Sequence, residues 1–258
     1  MILSRRVALG GEYLDELDES IVIRSVDPGV PHEASGTADR MGGWGSRLTN
    51  QHWQSLDVSV AFAIDLPKTQ IAARRAVFDS VIAWANRKGW LTTNEMEGRR
   101  LYVDKVVIPG GGDMREWTNE YTITFRALGV PFWRDRTAVE ARKNKVTKGS
   151  LTIDVGGTAP GVLDLSFENV SGKQINDVTF TVDGNDLILK GVNLGAGETL
   201  DFYHGPDDRV RIRAGSRNVY SLLRGANDSY VQPGTTVTVA VSATRAGNLV
   251  AKSYARWF

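Results

Sequence analysis

Two stretches of the chain alternate between apolar and polar residues, which is the pattern of a β-strand with one buried face. The first covers residues 56–64, and the second begins YTITFRALGVPFWRD at Tyr121 and alternates as far as Ala127. Pro131 cannot donate a hydrogen bond to a sheet ladder, so regular pairing is expected to end near Gly129. The composition changes after this stretch, which predicts a domain boundary there.

Residues 68–88 (KTQIAARRAVFDSVIAWANRK) lie between these two strands and have the composition and spacing of an amphipathic helix. Pro67 stands where a helix can begin. Gly89 is expected to supply the left-handed position that ends it, with Arg87 and Lys88 in the last turn. The predicted apolar stripe consists of Ile71, Phe78, Ile82 and Ala85, widened by Val77, Val81 and Trp84.

The rest of the first part of the chain is predicted as strands and loops. Residues 20–26, 100–108 and 115–128 are strand candidates, and a turn containing Pro109 and three glycines joins the last two. Residues 30–50 are rich in Gly, Ser and Thr and are expected to form a long exposed excursion. The first domain is therefore predicted as a β-barrel or sheet with one long helix.

The second part of the chain is predicted to be all β, with short strands separated by turns, as in a sandwich. Residues 134–149 hold six basic and two acidic side chains and are interpreted as a linker or an exposed strand. The predicted domains are residues 1–134 and 150–258, with 135–149 as the linker. The strand candidates are residues 151–155, 162–167, 177–182, 186–190, 199–203, 209–213, 219–223, 235–241 and 248–257.

Composition makes several classes of function improbable for this chain, among them nucleic-acid binding and thiol chemistry. The 258 residues carry 31 basic and 30 acidic side chains, a net charge of +1 that disfavours a dedicated nucleic-acid binder. No apolar run reaches the ~20 residues of a membrane helix. No signal peptide is recognised, so synthesis as a soluble protein in a cytoplasm is expected. The absence of cysteine excludes disulfides, thiol catalysis and thiolate metal sites.

No residue pattern for catalysis or cofactor binding stands out. His32, His52 and His204 are scattered without the spacing of metal ligands, and no cysteine accompanies them. There is no G-x-S-x-G nucleophile elbow and no phosphate-binding glycine motif in the required context. We therefore assign no catalytic, metal or cofactor residue and expect no cofactor.

Two groups of polar residues resemble sites. Asp183, Asn185 and Asp186 surround a glycine and offer oxygen atoms of the kind that calcium prefers. A hairpin turn favours the same residue types, and we prefer that interpretation. Asp207 and Asp208 follow Gly-Pro and have the same explanation.

Aromatic and charged residues leave alternatives open. Exposed rings in the second part would suit sugar binding, but core packing is the preferred interpretation; the rings are Tyr203, Tyr220, Tyr230, Tyr254 and Trp257. An acidic run near the start comprises Glu12, Asp15, Glu16, Asp18 and Glu19. It and the basic segment 134–148 are either solvated faces or complementary edges of neighbouring subunits in a ring.

The order of elements resembles the distal tail (Dit) proteins of long-tailed bacteriophages, the siphophages. The resemblance rests on the β-rich first domain with one helix, the segment YTITFRALGVPFWRD, the β-rich second domain and the closing SYARWF. In that family an aromatic and proline-containing segment ends the strand before the sandwich. The family pattern does not place residues 30–50, which in a ring would form a loop facing the tube or the tip protein.

The resemblance implies a structural protein of the virion rather than an enzyme. Family members form a hexameric hub ring at the end of the tail tube, and their galectin-like C-terminal domains project outward. Implied partners are further copies of the chain, the tube protein, the tail-tip protein and receptor-binding components or a surface glycan. The alternatives are a stand-alone carbohydrate-binding sandwich and a carbohydrate-active enzyme, which would need two carboxylates in a cleft.

Overall fold

The computed structural model describes residues 5–34, 37–40, 46–49, 52–108 and 120–258. Within these ranges the chain forms one α-helix, α1 (Ile71–Ala85), and short 3-10 helices at Leu14–Glu16 and Tyr220–Leu222. The strands are β1 (Val7–Leu9), β2 (Glu12–Tyr13), β3 (Ile21–Asp27), β4 (His32–Ala34), β5 (Thr37–Arg40), β6 (Ser46–Thr49), β7 (His52–Ile64), β8 (Gly89–Thr93), β9 (Arg99–Val103), β10 (Lys105–Val107), β11 (Glu120–Ala127), β12 (Trp133–Asp135), β13 (Val139–Val155), β14 (Gly161–Asn169), β15 (Ile175–Val182), β16 (Asn185–Leu194), β17 (Thr199–His204), β18 (Val210–Ala214), β19 (Arg217–Asn218), β20 (Leu223–Gly225), β21 (Tyr230–Val231), β22 (Thr235–Ser253) and β23 (Arg256–Trp257).

The chain forms two compact units, which we call unit 1 (residues 1–133 with residue 258) and unit 2 (residues 134–257). The predicted fold class is confirmed, because the chain is mainly β with a single long helix.

Unit 1 is organised around β7. One sheet has the order β10-β11-β7-β3, and β4 also pairs with β7; a second ladder runs β2-β1-β8-β9. The alternation seen in the sequence is confirmed for β11 and for β7 up to Val60, where one face is buried; from there to Ile64 both faces of β7 are buried, because Ala61 and Ala63 are covered as well. The buried residues on those faces are Leu56, Val58, Val60, Phe62 and Ile64 in β7 and Tyr121, Ile123, Phe125 and Ala127 in β11.

Aromatic side chains pack helix α1 against this sheet. The ring centroids of Phe78 and Tyr121 are 4.8 Å apart, and Trp84 meets Phe125 edge-on at 5.8 Å. The indole N–H of Trp84 donates to the backbone oxygen of Glu12 at 3.0 Å. Each ring therefore buries its apolar surface, and the indole N–H also finds a partner.

The helix differs from its prediction at both ends and on one face. Ile71 is 39% exposed, whereas Arg74, outside the predicted stripe, is buried. The last helical hydrogen bond joins the N–H of Asn86 to Ile82, so Arg87 and Lys88 lie beyond the helix. Gly89 begins β8 instead of capping the helix, because it pairs with β9.

No helix in the described ranges is long and apolar enough to cross a membrane.

The predicted strand over residues 100–108 is wrong as one element. It is divided into β9 and β10 at Asp104, whose carboxylate accepts the backbone N–H groups of Leu128 and Gly129 at 3.0 and 3.1 Å. Leu128 and Gly129 directly follow β11, so Asp104 ties the break between β9 and β10 to the end of β11. The glycine turn and residues 115–119 of the predicted next strand lie outside the described residues.

The excursion predicted over residues 30–50 contains regular structure. β4 pairs with the start of β7, and β5 pairs with β6 as a two-stranded antiparallel ladder. The remaining residues of this segment lie outside the described ranges.

Unit 2 is a sandwich whose two sheets share β13 and β22. One sheet continues from β22 through β14, β17 and β18 to β19, and the other through β15 and β16 to β20. Residues 239–243 of β22 pair with β15, whereas residues 247–253 pair with β14. A single strand therefore passes from one sheet into the other, which is how sandwich corners are made.

The bend between the two sheets coincides with an irregularity in the ladder. The β13–β22 register shifts between Lys143 and Lys148, and Lys145 has a φ of 54°. Opposite this bulge, a Cβ on Gly247 would lie 2.3 Å from the ring of Phe167 and 2.5 Å from the backbone oxygen of Glu168. Only glycine fits there without a shift of its neighbours.

Two strand predictions for unit 2 are corrected, and one alternative is confirmed. Of the linker or exposed strand considered for residues 134–149, the exposed strand is confirmed for residues 139–149, which belong to β13, paired with β22, rather than to the linker 135–149. Residues 219–223 form mainly a 3-10 turn rather than a strand. The separate strands predicted at 235–241 and 248–257 are one strand, β22, followed by β23, because the intervening residues form a bend and not a hairpin turn.

Trp133 is fully buried, and its indole N–H donates to the backbone oxygen of Pro28 at 3.2 Å. Phe132, Trp53 and Phe258 form an aromatic group in unit 1, with ring centroids 4.6 to 6.1 Å apart. The expectation that Phe132 and Trp133 anchor two domains to each other stays a prediction.

We expect Trp133→Ala to destabilise the protein by about 3–5 kcal/mol, because it leaves a cavity and removes an indole hydrogen bond. Urea unfolding followed by circular dichroism measures the change. Leu128→Ala is the control: Leu128 is 48% exposed, and its truncation should cost about 0.5 kcal/mol or less. Equal midpoints for the two variants would contradict the assignment of Trp133 to the core.

Candidate functional site

Unit 2 contains a group of interacting polar side chains, several of which are shielded from solvent. We call it the polar cluster, and it consists of Asp164, His204, Asp208, Tyr230 and Arg256. Asp164 lies on β14, His204 ends β17, Asp208 lies in the β17–β18 turn, Tyr230 begins β21 and Arg256 begins β23. Five elements thus converge at one end of the sandwich.

Arg256 and Asp208 form the centre of the polar cluster. The side chain of Arg256 is 3% exposed and that of Asp208 is 15% exposed. The two guanidinium nitrogens Nη1 and Nη2 each contact one carboxylate oxygen, with Nη1 to Oδ2 at 3.0 Å. The hydroxyl of Tyr230 donates to the same Oδ2 at 3.0 Å. This is the bidentate, charge-assisted geometry in which an arginine and a carboxylate bind most strongly.

The pKa values in the cluster follow from this arrangement. Burial alone would raise the pKa of Asp208, but the hydrogen bond and charge of Arg256 outweigh it, so the pKa lies below its ordinary value. Burial, followed by the negative charge of Asp208, raises the pKa of Tyr230 to about 12. Both groups therefore keep their usual charge near neutral pH, and the ion pair stays intact there.

His204 lies beside the ion pair but is not hydrogen-bonded through its ring. Its side chain is fully buried, its Nδ1 is 3.7 Å from Oδ1 of Asp164, and its ring faces those of Phe202 and Tyr230 at 5.8 and 6.0 Å. Neither ring nitrogen has a hydrogen-bond partner among the described residues. The backbone N–H of His204 donates to Asp164 at 3.0 Å, which fixes the strand end.

A second arginine extends the group. Nη2 of Arg134 is 3.7 Å from Oδ2 of Asp164, and its guanidinium lies 3.8 Å from the ring centroid of Tyr254. Stacking and ion pairing together suit the planar guanidinium. The arrangement joins β12, β14 and the segment before β23, so its chemistry is that of a structural connection.

The structure separates the other histidines from this cluster. His32 lies in β4 and His52 begins β7, both in unit 1, and their side chains lie outside the described ranges. Among the described residues no three His, Asp or Glu side chains approach as metal ligands would.

Asp183 and Gly184 form the turn of the β15–β16 hairpin, with φ values of 46° and 85°. Two consecutive residues with positive φ define the turn type that hairpins favour. Asp186 accepts a hydrogen bond from the hydroxyl of Thr181 across the ladder at 2.7 Å. Turn formation, the interpretation preferred from the sequence, accounts for these residues.

The acidic pair after Gly-Pro has two different roles. Asp207 accepts from Arg211 at 3.2 Å on the surface, as a turn residue would. Asp208 is the buried partner of Arg256, which the sequence did not reveal. The available signal was Arg256 itself, a single charge within the aromatic segment SYARWF, where a buried position requires a counter-ion.

Core packing, the preferred interpretation of the aromatic residues, is wrong for two of them. Tyr220 is 46% exposed and Tyr230 is 52% exposed, whereas Tyr203, Tyr254 and Trp257 are partly buried. The indole of Trp257 donates to Asp135 at 2.8 Å. No direct ring contact joins Tyr220 to Tyr230 in the described residues, so they do not form one aromatic platform.

The acidic run near the start and the basic segment of β13 differ in how many of their charges are already paired within the chain. In the acidic run, Arg6 pairs with Asp15 at 3.1 Å and with Glu16, and Arg87 pairs with Glu12. Three of the five carboxylates thus have ion-pair partners within unit 1, and Asp18 accepts hydrogen bonds from Ser20. The basic residues of β13 are exposed, and this difference weakens the hypothesis that the two runs meet across a ring.

Comparisons with known proteins identify the fold. The structure is similar to the crystal structure of the Dit protein of SPP1, described as a paradigm of the hub adsorption apparatus in phages that infect Gram-positive bacteria. The TM-score is 0.66, with 13% sequence identity over 97% of this chain and 98% of that chain.

A chain of the phage p2 baseplate, in its activated conformation with calcium, gives a TM-score of 0.50 at 10% identity. It covers 97% of this chain and 98% of its own length. No protein-family model matches the sequence, and no curated protein matches it. The chain therefore has the fold of the SPP1 Dit protein along nearly its whole length.

We expect Asp208→Asn to destabilise unit 2 by about 3–5 kcal/mol at pH 7, because it leaves the buried Arg256 charge without a counter-ion. Since the pKa of Asp208 is lower in the folded state, its stabilisation is present above the unfolded pKa of about 3.9 and is lost as pH falls through the folded value.

Urea unfolding at pH 7 and below pH 4 measures both effects, and the difference between wild type and variant should shrink in acid. Asp207→Asn, whose side chain is 37% exposed, is the control and should cost about 1 kcal/mol or less. An equal loss for the two variants at pH 7 would contradict the assigned role of the buried pair.

Proposed function

We propose that this chain is a structural protein of a phage tail, a hub that joins the tail tube to the tail tip. The observation that carries the proposal is the similarity to SPP1 Dit over 97% of this chain and 98% of that one, so that both units have their counterparts. A match of unit 2 alone would indicate only a β-sandwich, a fold that many unrelated proteins share. Fold alone does not fix function, so the proposal needs the tests below.

In the proposed assembly, unit 1 forms a ring of six copies and unit 2 projects outward. Two features of unit 1 support a ring. Within the described residues, β3 pairs only with β7 and β10 pairs only with β11, so both ends of that sheet present unpaired edges. Val107 on β10 is 43% exposed. A head-to-tail ring would cover such edges with the neighbouring subunit.

Charge and chemistry are compatible with a passive channel component. A ring through which DNA slides should not hold it through many phosphate contacts, and a net charge of +1 agrees with that requirement. The polar cluster is explained by packing and ion pairing, and the proposal assigns it no catalysis. The proposed partners are the tube protein above the ring, a tail-tip protein below it and receptor-binding components outside. The proposed location is the virion.

Assembly tests the ring. Sedimentation equilibrium of the purified chain, alone and with tube protein, should show a species of six times 28.3 kDa, free or bound to tube protein. Only monomers under both conditions would refute the proposal.

A matched pair of variants tests the position of the contact. Val107→Glu places a charge on the β10 edge and should prevent assembly, because a buried unpaired charge is unfavourable. Val170→Glu alters a 39% exposed valine in unit 2 and should assemble normally. If Val107→Glu assembled like wild type, the ring would stand and the β10 edge would lie outside the contact.

Exposed tyrosines favour a second candidate function, carbohydrate binding by unit 2. Aromatic faces stack on sugar rings, and Tyr220 and Tyr230 are about half exposed. A glycan array with the intact protein tests this, followed by Tyr220→Ala and Tyr230→Phe on any hit. Binding lost in Tyr220→Ala but kept in Tyr230→Phe, which retains the ring, would support stacking. An array without hits would exclude this candidate and leave the hub proposal unaffected.

A further inference from the structure

The outer edge of β13 differs from the other sheet edges of unit 2. The sheets end at β19 and β20, which contain two and three residues, whereas β13 contains seventeen. β13 pairs with β22 on one side, and no described strand pairs with its other side. Proteins usually blunt an edge that would otherwise accept a foreign strand by shortening it, or with charged side chains and bulges. Unit 2 shortens β19 and β20, whereas β13 keeps its length and carries lysines and a bulge, which disfavour an incoming strand unless it has the opposite charge.

The side chains of β13 determine what this edge can accept. Ala141, Val146 and Leu151 pack against the core of unit 2, while Arg142, Lys143, Lys145 and Lys148 are exposed around the bend. The edge is therefore strongly positive over a short distance.

Two of these charges have no partner within unit 2. Arg142 contacts Glu140, which also lies 3.3 Å from Lys252, and the ammonium of Lys143 donates to the Ser150 backbone oxygen at 2.9 Å. Lys145 and Lys148 form no ion pair in the described part of the chain. The side chains of Lys145 and Lys148 can therefore contact an incoming strand without breaking an ion pair of unit 2.

The positive charge of β13 also determines which kind of strand can pair with its outer edge. A second copy of β13 would place like charges against one another, which disfavours self-pairing. The acidic run of the same chain is a poor partner, because three of its carboxylates already form ion pairs with arginines of unit 1: Glu12, Asp15 and Glu16. The complementary partner is therefore a different protein with an extended acidic segment.

We propose that the outer edge of β13 binds an extended acidic segment of another protein as an added antiparallel or parallel strand. The backbone groups of β13 supply the ladder hydrogen bonds, and Lys145 and Lys148 select carboxylates in the incoming strand. This interaction surface does not depend on the proposed hub function, and either can fail without the other.

A short peptide in which valine and glutamate alternate is the probe, titrated onto the full chain and followed by fluorescence anisotropy. Hydrogen exchange on the complex should show new protection in residues 139–155, and affinity should fall as salt is raised. A peptide with proline in place of each valine keeps the charge but cannot form a ladder. It should not bind, and neither should a peptide with lysine in place of each glutamate.

The double variant Lys145→Glu with Lys148→Glu should weaken binding by about tenfold or more, because two attractive contacts become repulsive. Lys173→Glu, at an exposed turn of the same unit, is the matched control and should bind as wild type does. All five peptide and variant results agreeing would support the proposal. No binding of the acidic peptide, equal binding of the proline peptide, or protection outside β13 would overturn it.

Discussion

The pairing of β13 with β22 is the constraint on which unit 2 depends. Both strands run through the two sheets of the sandwich, so one bent ladder sets the spacing and orientation of the layers that enclose the core. The bend requires a bulge in β13 and a glycine at position 247, where any side chain would meet Phe167. The polar cluster then closes one end of the same sandwich, because Arg256 and Asp208 lie on elements that flank these sheets. The strand that organises the core also leaves the longest free edge of unit 2.

Unit 1 follows a simpler principle, in which one long strand collects its neighbours. β7 pairs with β3, β4 and β11, and the buried face of this sheet receives the aromatic side of α1. The hydrophobic contribution is large, because Trp84 and the inward residues of β7 are fully buried. Within the described residues the outer strands of this sheet have unpaired edges, and these are the features that the proposed ring would use.

The sequence predicted these features unevenly, and the reason is physical. The alternation in β7 and β11 was visible because burial of one face repeats every two residues. The helix was visible because burial of one face repeats at helical spacing, although Ile71 of the predicted stripe is exposed and Arg74 outside it is buried. The sequence predicted separate strands at residues 235–241 and 248–257; in the folded chain the residues between them, SATRAG, form the bend within β22. The Arg256–Asp208 pair joins residues 48 positions apart, which no local pattern encodes.

The proposed function as a tail hub rests on the similarity of the fold to the SPP1 Dit protein over nearly the whole chain. The polar cluster, the packed core and the near-neutral charge agree with a protein that acts through assembly. Location in the particle tests this most directly. Gold-labelled antibodies against the chain, applied to purified virions and imaged by electron microscopy, should mark the distal end of the tail. Labelling of the capsid, or particles with intact tails that contain no copy of the chain, would contradict the account.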